Sequence, residues 1–338
     1  MKILGIETSC DETAAAVVED GKKVLSNIVA TQIPFHKIYN GVVPEIASRK
    51  HIEWILPTVK HALNEAGVTL DDIDGIAATN RPGLMGSLLV GLTFAKTLAW
   101  SSGKPFIAVN HMLGHLYASR LENDIEYPYL GLLVSGGHSI ICKVNNFDDI
   151  EVLGTTIDDA PGEAFDKVAK FYNFGYPGGV IIDMLAKNGN PKAANFPMPV
   201  IHKEGHKYDV SYSGLKTAVI NQLDRFWNTD YEKTDENIAA AFQARAIKIL
   251  LRPLMDAVAD TGLKTVVAGG GVAANSLLRA KLAEHTELQC IFPPLKFCTD
   301  NAAMIAGLGF HFLKRGEVSP FSVEASARVS GFSKKGRS

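Results

Sequence analysis

The same strand–turn–strand pattern occurs twice in the sequence, and it constrains the fold more than any other feature. The first copy runs from apolar residues at 3–6 through a polar turn at 8–13 to the apolar run 14–18. The second runs from 129–134 through a turn at 135–138 to 140–144. Repetition of one supersecondary unit indicates two similar halves. Strands alternate with helical patterns elsewhere, which predicts an α/β chain with mixed sheets.

The remaining periodic segments supply the other helices and strands. Pro57 falls inside the helical pattern at 51–66, so that helix should either start near Pro57 or bend there. Asp235 is the expected N-cap of the longest helix. The apolar spacing predicts helices over 51–66, 87–101, 235–260, 275–285 and 301–314, strands at 76–79, 106–110 and 265–268, and a loop over 186–212. The basic segment 331–338 is expected to be a mobile tail.

Length and composition exclude several classes of protein. The chain has 338 residues, of which 46% are hydrophobic and 21% charged, and this excludes disordered and collagen-like chains. No apolar run reaches the ~18 residues of a membrane span, and Glu7 interrupts any signal-peptide core. The four cysteines show no C-x-x-C spacing, so we expect reduced thiols in a cytoplasmic protein without a membrane association. The net charge of −2 argues against a freestanding nucleic-acid coat but not against a local basic patch.

Two histidines, His111 and His115, follow the predicted strand at 106–110. If a helix starts there, both imidazoles lie on one face, within reach of one metal ion. Met112 stands where H-E-x-x-H peptidases have their general base, so that machinery is missing. Two unrelated histidines at a helix start are the alternative. Asp300 is the best candidate for a third ligand, although a carboxylate there is more commonly just an N-cap.

Two glycine-rich segments, 134–139 in a hairpin turn and 267–275 between a strand and a helix, favour contacts with phosphate. Neither has the spacing of a dinucleotide-binding motif or a P-loop, and tight turns explain many such glycines. Asp166 and Asp183 are candidates for binding hydroxyl or amine groups of a ligand. A solvated helix start followed by a turn is the alternative interpretation of that region.

Ten segments occur in order along nearly the whole chain: GIETSCDET (5–13), VPEIASRKH (43–51), PGLMGSLLVG (82–91), HMLGH (111–115), LVSGGHS (133–139), GEAFDKVAK (162–170), GYPGG (175–179), YSGLK (212–216), VAGGGVAAN (267–275) and CTDNAAMIA (298–306). Together they resemble the TsaD family of tRNA N6-adenosine threonylcarbamoyltransferases, also labelled glycoproteases. One such motif would be weak evidence, whereas an accidental match of ten is implausible.

Two departures from the family pattern stand out. Asn80 and Arg81 precede Pro82 where many relatives have a small residue and glycine, which bears on the local loop shape. Leu133 stands where archaeal and eukaryotic relatives carry an aromatic residue that can contact the metal. Leucine cannot, so we expect substrate or water as the fourth ligand.

The resemblance implies the actin/Hsp70/sugar-kinase fold, with two α/β domains, a mixed five-stranded sheet in each, and an interdomain cleft. We expect a first domain over 1–110 together with a C-terminal helix at about 301–330. The second domain is expected over 111–300, with insertions at about 150–235.

The resemblance further implies transfer of the threonylcarbamoyl group from threonylcarbamoyl-adenylate to N6 of the adenosine 3′ of the anticodon, in tRNAs reading ANN codons, with release of AMP. By resemblance, His111, His115 and Asp300 bind one divalent metal, usually iron(II), with zinc as the alternative. The implied partners are a degenerate paralogue similar to TsaB and a small ATPase similar to TsaE. The implied substrate-binding residues are Val134, Ser135, Gly136, Gly137, His138, Asp166, Gly179, Asp183 and Asn275.

The donor is a mixed anhydride, so the site has to position the amine, polarise the carbonyl and stabilise the departing phosphate. Asp11 or Glu12 is our hypothesis for the group that accepts the amine proton. A metallopeptidase, an actin-like ATPase and a non-catalytic scaffold are the alternatives. Met112 counts against the first, the second rests on fold analogy alone, and the intact metal motif counts against the third.

Binding of tRNA requires local Lys and Arg. The candidates are Lys314, Arg315, Arg328, Lys334, Lys335 and Arg337. Solubility is an equally good explanation of these charges. We expect deletion of 333–338 to weaken tRNA binding.

Overall fold

The computed structural model describes residues 1–199, 201 and 205–328. The strands are β1 Lys2–Glu7, β2 Glu12–Glu19, β3 Lys23–Thr31, β4 Gly75–Arg81, β5 Phe106–Asn110, β6 Tyr129–Val134, β7 Ser139–Val144, β8 Ile150–Thr155, β9 Thr265–Gly269 and β10 Gln289–Ile291. The helices are α1 Ile33–His36, α2 Pro44–Ala66, α3 Met85–Ser102, α4 His111–Tyr117, α5 Pro161–Phe171, α6 Gly178–Ala186, α7 Ser213–Asn221, α8 Leu223–Phe226, α9 Asp235–Thr261, α10 Ser276–Ala283 and α11 Ala302–Lys314.

The described chain forms two compact units, and each is built on one five-stranded sheet. Within the described residues, the first unit comprises Met1–Glu126 and 293–328, and the second comprises residues from Tyr127 to Phe292. The strand orders are β3-β2-β1-β4-β5 and β8-β7-β6-β9-β10. In both sheets three antiparallel strands are followed by two parallel ones. The two predicted hairpins are confirmed, and they occupy the same place in two sheets of the same topology.

The first segment of the first unit ends at Glu126, beyond the boundary expected near residue 110. The second segment of that unit begins at Pro293 rather than near 301. Close packing of α4 on α11 accounts for this. Gly114 lies so near α11 that an added Cβ would be 2.9 Å from Cδ1 of Ile305. The helix that carries His111 and His115 therefore belongs to the same unit as Asp300.

The first sheet is covered by helices on both faces. Leu4 and Ile6 of β1 face a core that includes residues of α2 and α3, such as Ile55 and Leu92. On the opposite face α11 crosses β1 at Gly5, where an added Cβ would overlap the carbonyl oxygen of Ala302. A strand buried on both faces has an apolar sequence with little alternation, as in this strand.

Two helix starts differ from the sequence prediction. The first long helix begins at Pro44, not near Pro57, which lies inside it at an exposed position. The longest helix is capped by Thr234, whose hydroxyl accepts a hydrogen bond from the Asn237 amide. Asp235 is instead the first helical residue, where its charge favours the positive end of the helix dipole. No helix within the described ranges is long and apolar enough to cross a membrane.

Candidate metal centre and glycine-rich loops

The two histidines lie on a short helix that starts directly at the end of a strand. Asn110, the last residue of β5, caps α4 because its side chain accepts a hydrogen bond from the Met112 amide at 2.8 Å. His111 and His115 are therefore one turn apart, with ring centroids separated by 4.5 Å. Both side chains are buried, so their ring nitrogens are shielded from water.

Asp300 completes the cluster because a neighbouring residue takes over the capping of α11. The side chain of Asn301 accepts a hydrogen bond from the Met304 amide at 3.0 Å, so it is the N-cap that the sequence analysis considered for Asp300. Oδ1 of Asp300 lies 3.0 Å from Nε2 of His115 and 3.5 Å from Nε2 of His111. One donor atom from each residue lies within 4.8 Å of the others. Two imidazole nitrogens and a carboxylate oxygen that converge in this way suit a divalent metal ion.

Glu7 is a member of this site that the sequence analysis missed. It ends β1 with its side chain completely buried, and its Oε2 lies 3.0 Å from Nδ1 of His111. The signal was present in the sequence, because an acid at the end of an apolar strand needs a partner if it is buried. Burial would raise the pKa of Glu7, but the charge of His111 and its hydrogen bond lower it.

The pKa values of the two histidines move in opposite directions. Burial alone would lower the pKa of His111, but the charges of Asp300 and Glu7 and the hydrogen bond with Glu7 raise it to about 9. Burial, followed by the charge of His111, lowers the pKa of His115. The two carboxylates of Asp300 and Glu7 thus favour positive charge at His111.

The candidate base Asp11 lies in the turn between β1 and β2, the candidate base Glu12 begins β2, and residues of β3 and α2 hold this segment in place. Asp11 is largely buried, and Glu12 accepts a hydrogen bond from the Thr31 hydroxyl at 3.2 Å. Burial, followed by the charges of Asp11 and Asp300, raises the pKa of Glu12 well above its ordinary value. His51 contacts both the Thr13 hydroxyl, at 2.8 Å, and the Cys10 carbonyl, at 2.9 Å.

The predicted glycine-rich loops lie together in the second unit. Gly162, at the start of α5, is so close to the 135–137 turn that an added Cβ would be 2.7 Å from Cα of Gly136. Gly270 has a φ of 87°, and an added Cβ there would overlap the carbonyl of Val134. Only glycine allows these backbones to approach so closely. Within the turn, the Ser135 amide donates to the His138 carbonyl at 2.9 Å.

The remaining predicted substrate-binding residues surround these loops and are themselves tied to the backbone. Asp166 accepts a hydrogen bond from the Gly178 amide at 2.8 Å, beside Gly179 at the start of α6. Asp183 accepts from the Ser276 hydroxyl at 2.8 Å and borders a cavity of about 760 Å³. Asn275 caps α10. All predicted substrate-binding residues thus lie in the second unit, and all predicted metal ligands lie in the first.

Of the basic residues that are candidates for tRNA binding, the structure describes Lys314, Arg315 and Arg328. Arg315 pairs with Glu317 at 2.6 Å, and Lys314 and Arg328 are exposed. The predicted tail, 331–338, with Lys334, Lys335 and Arg337, lies outside the described residues.

Comparisons with known proteins agree on one family. A family model described as TsaD, tRNA N6-adenosine threonylcarbamoyltransferase, matches residues 23–307. A Treponema denticola protein named tRNA N6-adenosine threonylcarbamoyltransferase is 87% identical over 337 residues, 100% of both chains. A Treponema pallidum protein of the same name is 65% identical over 336 residues, 99% of this chain and 96% of the relative.

Solved structures show the fold. An activator of 2-hydroxyisocaproyl-CoA dehydratase from Clostridium difficile gives a TM-score of 0.54 at 15% identity, over 94% of this chain and 97% of that chain. The predicted class, a duplicated α/β fold of the actin/Hsp70/sugar-kinase type, is confirmed.

Proposed function

The chain belongs to the TsaD family of tRNA N6-adenosine threonylcarbamoyltransferases, and we propose that it transfers the threonylcarbamoyl group of threonylcarbamoyl-adenylate to tRNA. The acceptor is N6 of the adenosine 3′ of the anticodon in tRNAs that read ANN codons. In this transfer the N6–carbonyl bond forms, the carbonyl–phosphate bond breaks, and AMP leaves with the electron pair. The observation that carries the proposal is the convergence of His111, His115 and Asp300 in a chain that matches a member of this family over 100% of both sequences.

We assign His111, His115 and Asp300 as the ligands of one divalent metal ion, with iron(II) expected and zinc the alternative. Two histidines and one carboxylate are a ligand set used by both metals, and they leave coordination positions open. A metal bound there would supply Lewis acidity toward oxygens of the donor. The chain's contribution is to hold the three donor atoms together in a buried setting.

Asp11 and Glu12 are proposed to take the proton that the attacking N6 amine releases. Burial and the charges of Asp11 and Asp300 raise the pKa of Glu12, and a raised pKa makes its carboxylate a stronger base. The hydrogen bond from Thr31 and the contacts of His51 with Cys10 and Thr13 hold the segment that carries both residues. An already activated donor needs no covalent nucleophile, so positioning and proton transfer are sufficient tasks for these side chains.

The AMP half of the donor is assigned to the second unit. The closely packed turn formed by Ser135, Gly136, Gly137 and His138 lies near the start of α5, and a helix start is a favourable setting for phosphate oxygens. Asp183 borders a cavity of about 760 Å³, which is in the size range of small-molecule sites. Asp166, Gly179, Asp183 and Asn275 would position the nucleoside.

A degenerate paralogue and a small ATPase are the proposed protein partners, in the cytoplasm, where unmodified tRNA is available. The helices α2 and α3 offer a surface for the paralogue. Ile52 and Leu56, one turn apart on α2, are 66% and 49% exposed, and Trp100 on α3 is 73% exposed. Large apolar side chains exposed on adjacent helices mark an interaction surface. We expect Leu56→Arg to abolish co-purification with the paralogue, whereas Val180→Arg in the second unit leaves it intact.

The central experiment supplies the metal-loaded chain and its partners with threonylcarbamoyl-adenylate and unmodified tRNA, and then measures the nucleosides by mass spectrometry. We expect threonylcarbamoyladenosine from the wild type, none from His111→Ala or His115→Ala, and a normal yield from the exposed-histidine control His61→Ala. Absence of the nucleoside from the loaded wild type with its partners would contradict the transferase assignment. Metal-dependent cleavage of a protein substrate would then favour the peptidase alternative.

A further inference from the structure

Glu7 carries a carboxylate with no role in the chemistry described so far, although its burial is complete. Its Oε1 accepts a hydrogen bond from the Ser9 amide at 2.6 Å, and its Oε2 accepts one from the Thr79 hydroxyl at 2.5 Å. The same Oε2 lies 3.0 Å from Nδ1 of His111. Burying an ionised carboxylate costs free energy unless the carboxylate is hydrogen-bonded and paired with other groups. The contacts of Glu7 therefore need an explanation.

We propose that Glu7 is the positioning residue of the metal centre. An ionised carboxylate can only accept hydrogen bonds, so it requires the proton of His111 to be on Nδ1. In the neutral imidazole that a metal ion would bind, the lone pair is then on Nε2, which faces Oδ1 of Asp300. This inference rests on the proposed metal site, and it assigns the ring nitrogen through which His111 would act as a ligand.

Ser9 also touches the ring but cannot determine its orientation. Its hydroxyl lies 3.1 Å from Nδ1 of His111. A hydroxyl can donate or accept, so it is compatible with either tautomer. Glu7 is the group that distinguishes between them.

The second histidine lacks such a group. Nδ1 of His115 is buried and has no hydrogen-bond partner among the residues that the structure describes. Its Nε2 contacts Asp300 at 3.0 Å. The two ligands are therefore not equivalent, because only His111 has a carboxylate behind the ring. Carboxylates in this position orient a ligating histidine and increase its basicity.

The other oxygen of the same carboxylate extends this effect to the candidate bases. Oε1 of Glu7 holds the amide of Ser9, two residues before Asp11. One side chain thus fixes both the His111 ring and the start of the turn that carries Asp11 and Glu12.

The first test measures metal affinity by titration of zinc into metal-free protein. Glu7→Gln keeps the size of the side chain but places an amide N–H₂ where a carboxylate oxygen had been. The N–H₂ group of the glutamine then faces either Nδ1–H of His111 or the N–H of Ser9, so two donors oppose each other. We expect zinc affinity to fall about 10- to 100-fold in Glu7→Gln, as is usual for loss of such a partner, and to stay close to wild type in the matched variant Ser9→Ala.

The second test needs no variant, so it holds even if Glu7→Gln does not fold. In the zinc-loaded wild type, ¹⁵N NMR of the imidazoles should show Nε2 of His111 bound to metal and Nδ1 protonated and hydrogen-bonded. Metal on Nδ1 of His111, or a folded Glu7→Gln protein with wild-type affinity, would overturn the inference. Failure of the wild type to bind zinc or iron(II) at all would instead remove the proposed metal site.

Discussion

At the scale of single residues, Glu12 has the property that a general base needs. Its raised pKa comes from burial and from the charges of Asp11 and Asp300. A base must be ionised before it accepts a proton, so turnover should fall as the pH drops through that raised pKa. The acidic limb of the pH–rate profile should therefore lie above the ordinary value of 4.5.

We predict that Glu12→Gln slows single-turnover formation of threonylcarbamoyladenosine by about 10²- to 10⁴-fold, the usual contribution of a general base. The acidic limb should disappear in the same variant, while binding of the adenylate donor changes little. Asp11→Asn tests the second candidate, which is the neighbouring residue. Unchanged rates in both variants would remove the proton-accepting role from the turn.

His311 is the residue from which a pH dependence of stability follows. Its Nε2 lies 2.8 Å from the Tyr117 hydroxyl. Burial lowers its pKa from 6.5 to about 4, and nearby cations add to the effect. Those cations are Arg120, Lys314, Lys22 and Arg315. Between these two pH values the unfolded chain binds a proton at His311 that the folded chain does not bind. The free energy of unfolding therefore decreases as the pH falls.

We predict that the melting temperature of the wild type drops between pH 6.5 and pH 4, and that His311→Gln shows a smaller drop. Thermal melts followed by circular dichroism over this range provide the measurement. The exposed-residue control His61→Gln should keep the wild-type difference. A drop as large in His311→Gln as in the wild type would contradict the assignment of the proton to this residue.

Residue-level prediction from the sequence succeeded where spacing along the chain determines proximity. His111 and His115 are four residues apart, so a helix start was enough to bring them together. Glu7 was missed because its contact with His111 depends on pairing of β1 with β4 and of β4 with β5, which no local spacing reveals. The capping alternative for Asp300 could be decided only by the backbone, which places Asn301 at the cap.

At the scale of elements, the contact of α11 with β1 determines where Asp300 lies. The crossing occurs at Gly5, where an added Cβ would overlap the Ala302 carbonyl and lie 2.8 Å from Cβ of Ala306. Both obstacles belong to the helix itself, so the helix would have to shift. Asp300 directly precedes this helix and would move with it.

We predict that Gly5→Ala destabilises the protein by about 1–3 kcal/mol, the usual cost of overpacking, and weakens zinc binding. Urea unfolding and zinc titration are the measurements. Gly214→Ala is the control, since nothing lies within 4 Å of an added Cβ in that helical position. It should leave stability unchanged or slightly higher. Equal stability of Gly5→Ala and wild type would contradict the close contact.

Element types were predictable because apolar periodicity separates strands from helices, as in the hairpins and in β5. The first and last residues of the elements were harder to predict. The start of α2 at Pro44 lies outside the apolar pattern that marked the helix, because its first turn is exposed in part. Thr234 and Asp235 are both good capping residues, and only the backbone angles decide between them.

At the scale of the whole molecule, the chain leaves the first unit after Glu126 and returns to it at Pro293. A sequence repeat indicates two halves, but it does not say which half the C-terminal segment joins. The return of the chain is what places Asp300 beside His111 and His115. The proposed metal centre therefore belongs to the first unit, although His115 and Asp300, two of its proposed ligands, are 185 residues apart in the sequence.

This placement predicts where metal binding stabilises the protein. A ligand at 100 times its dissociation constant stabilises the state that binds it by about 2.7 kcal/mol. We expect hydrogen exchange followed by mass spectrometry to show added protection on zinc binding in 1–126 and 293–328, with little change in 127–292. His111→Ala should abolish the added protection. Protection centred on 127–292 would contradict the assignment of the ligands, because none of the three lies in that unit.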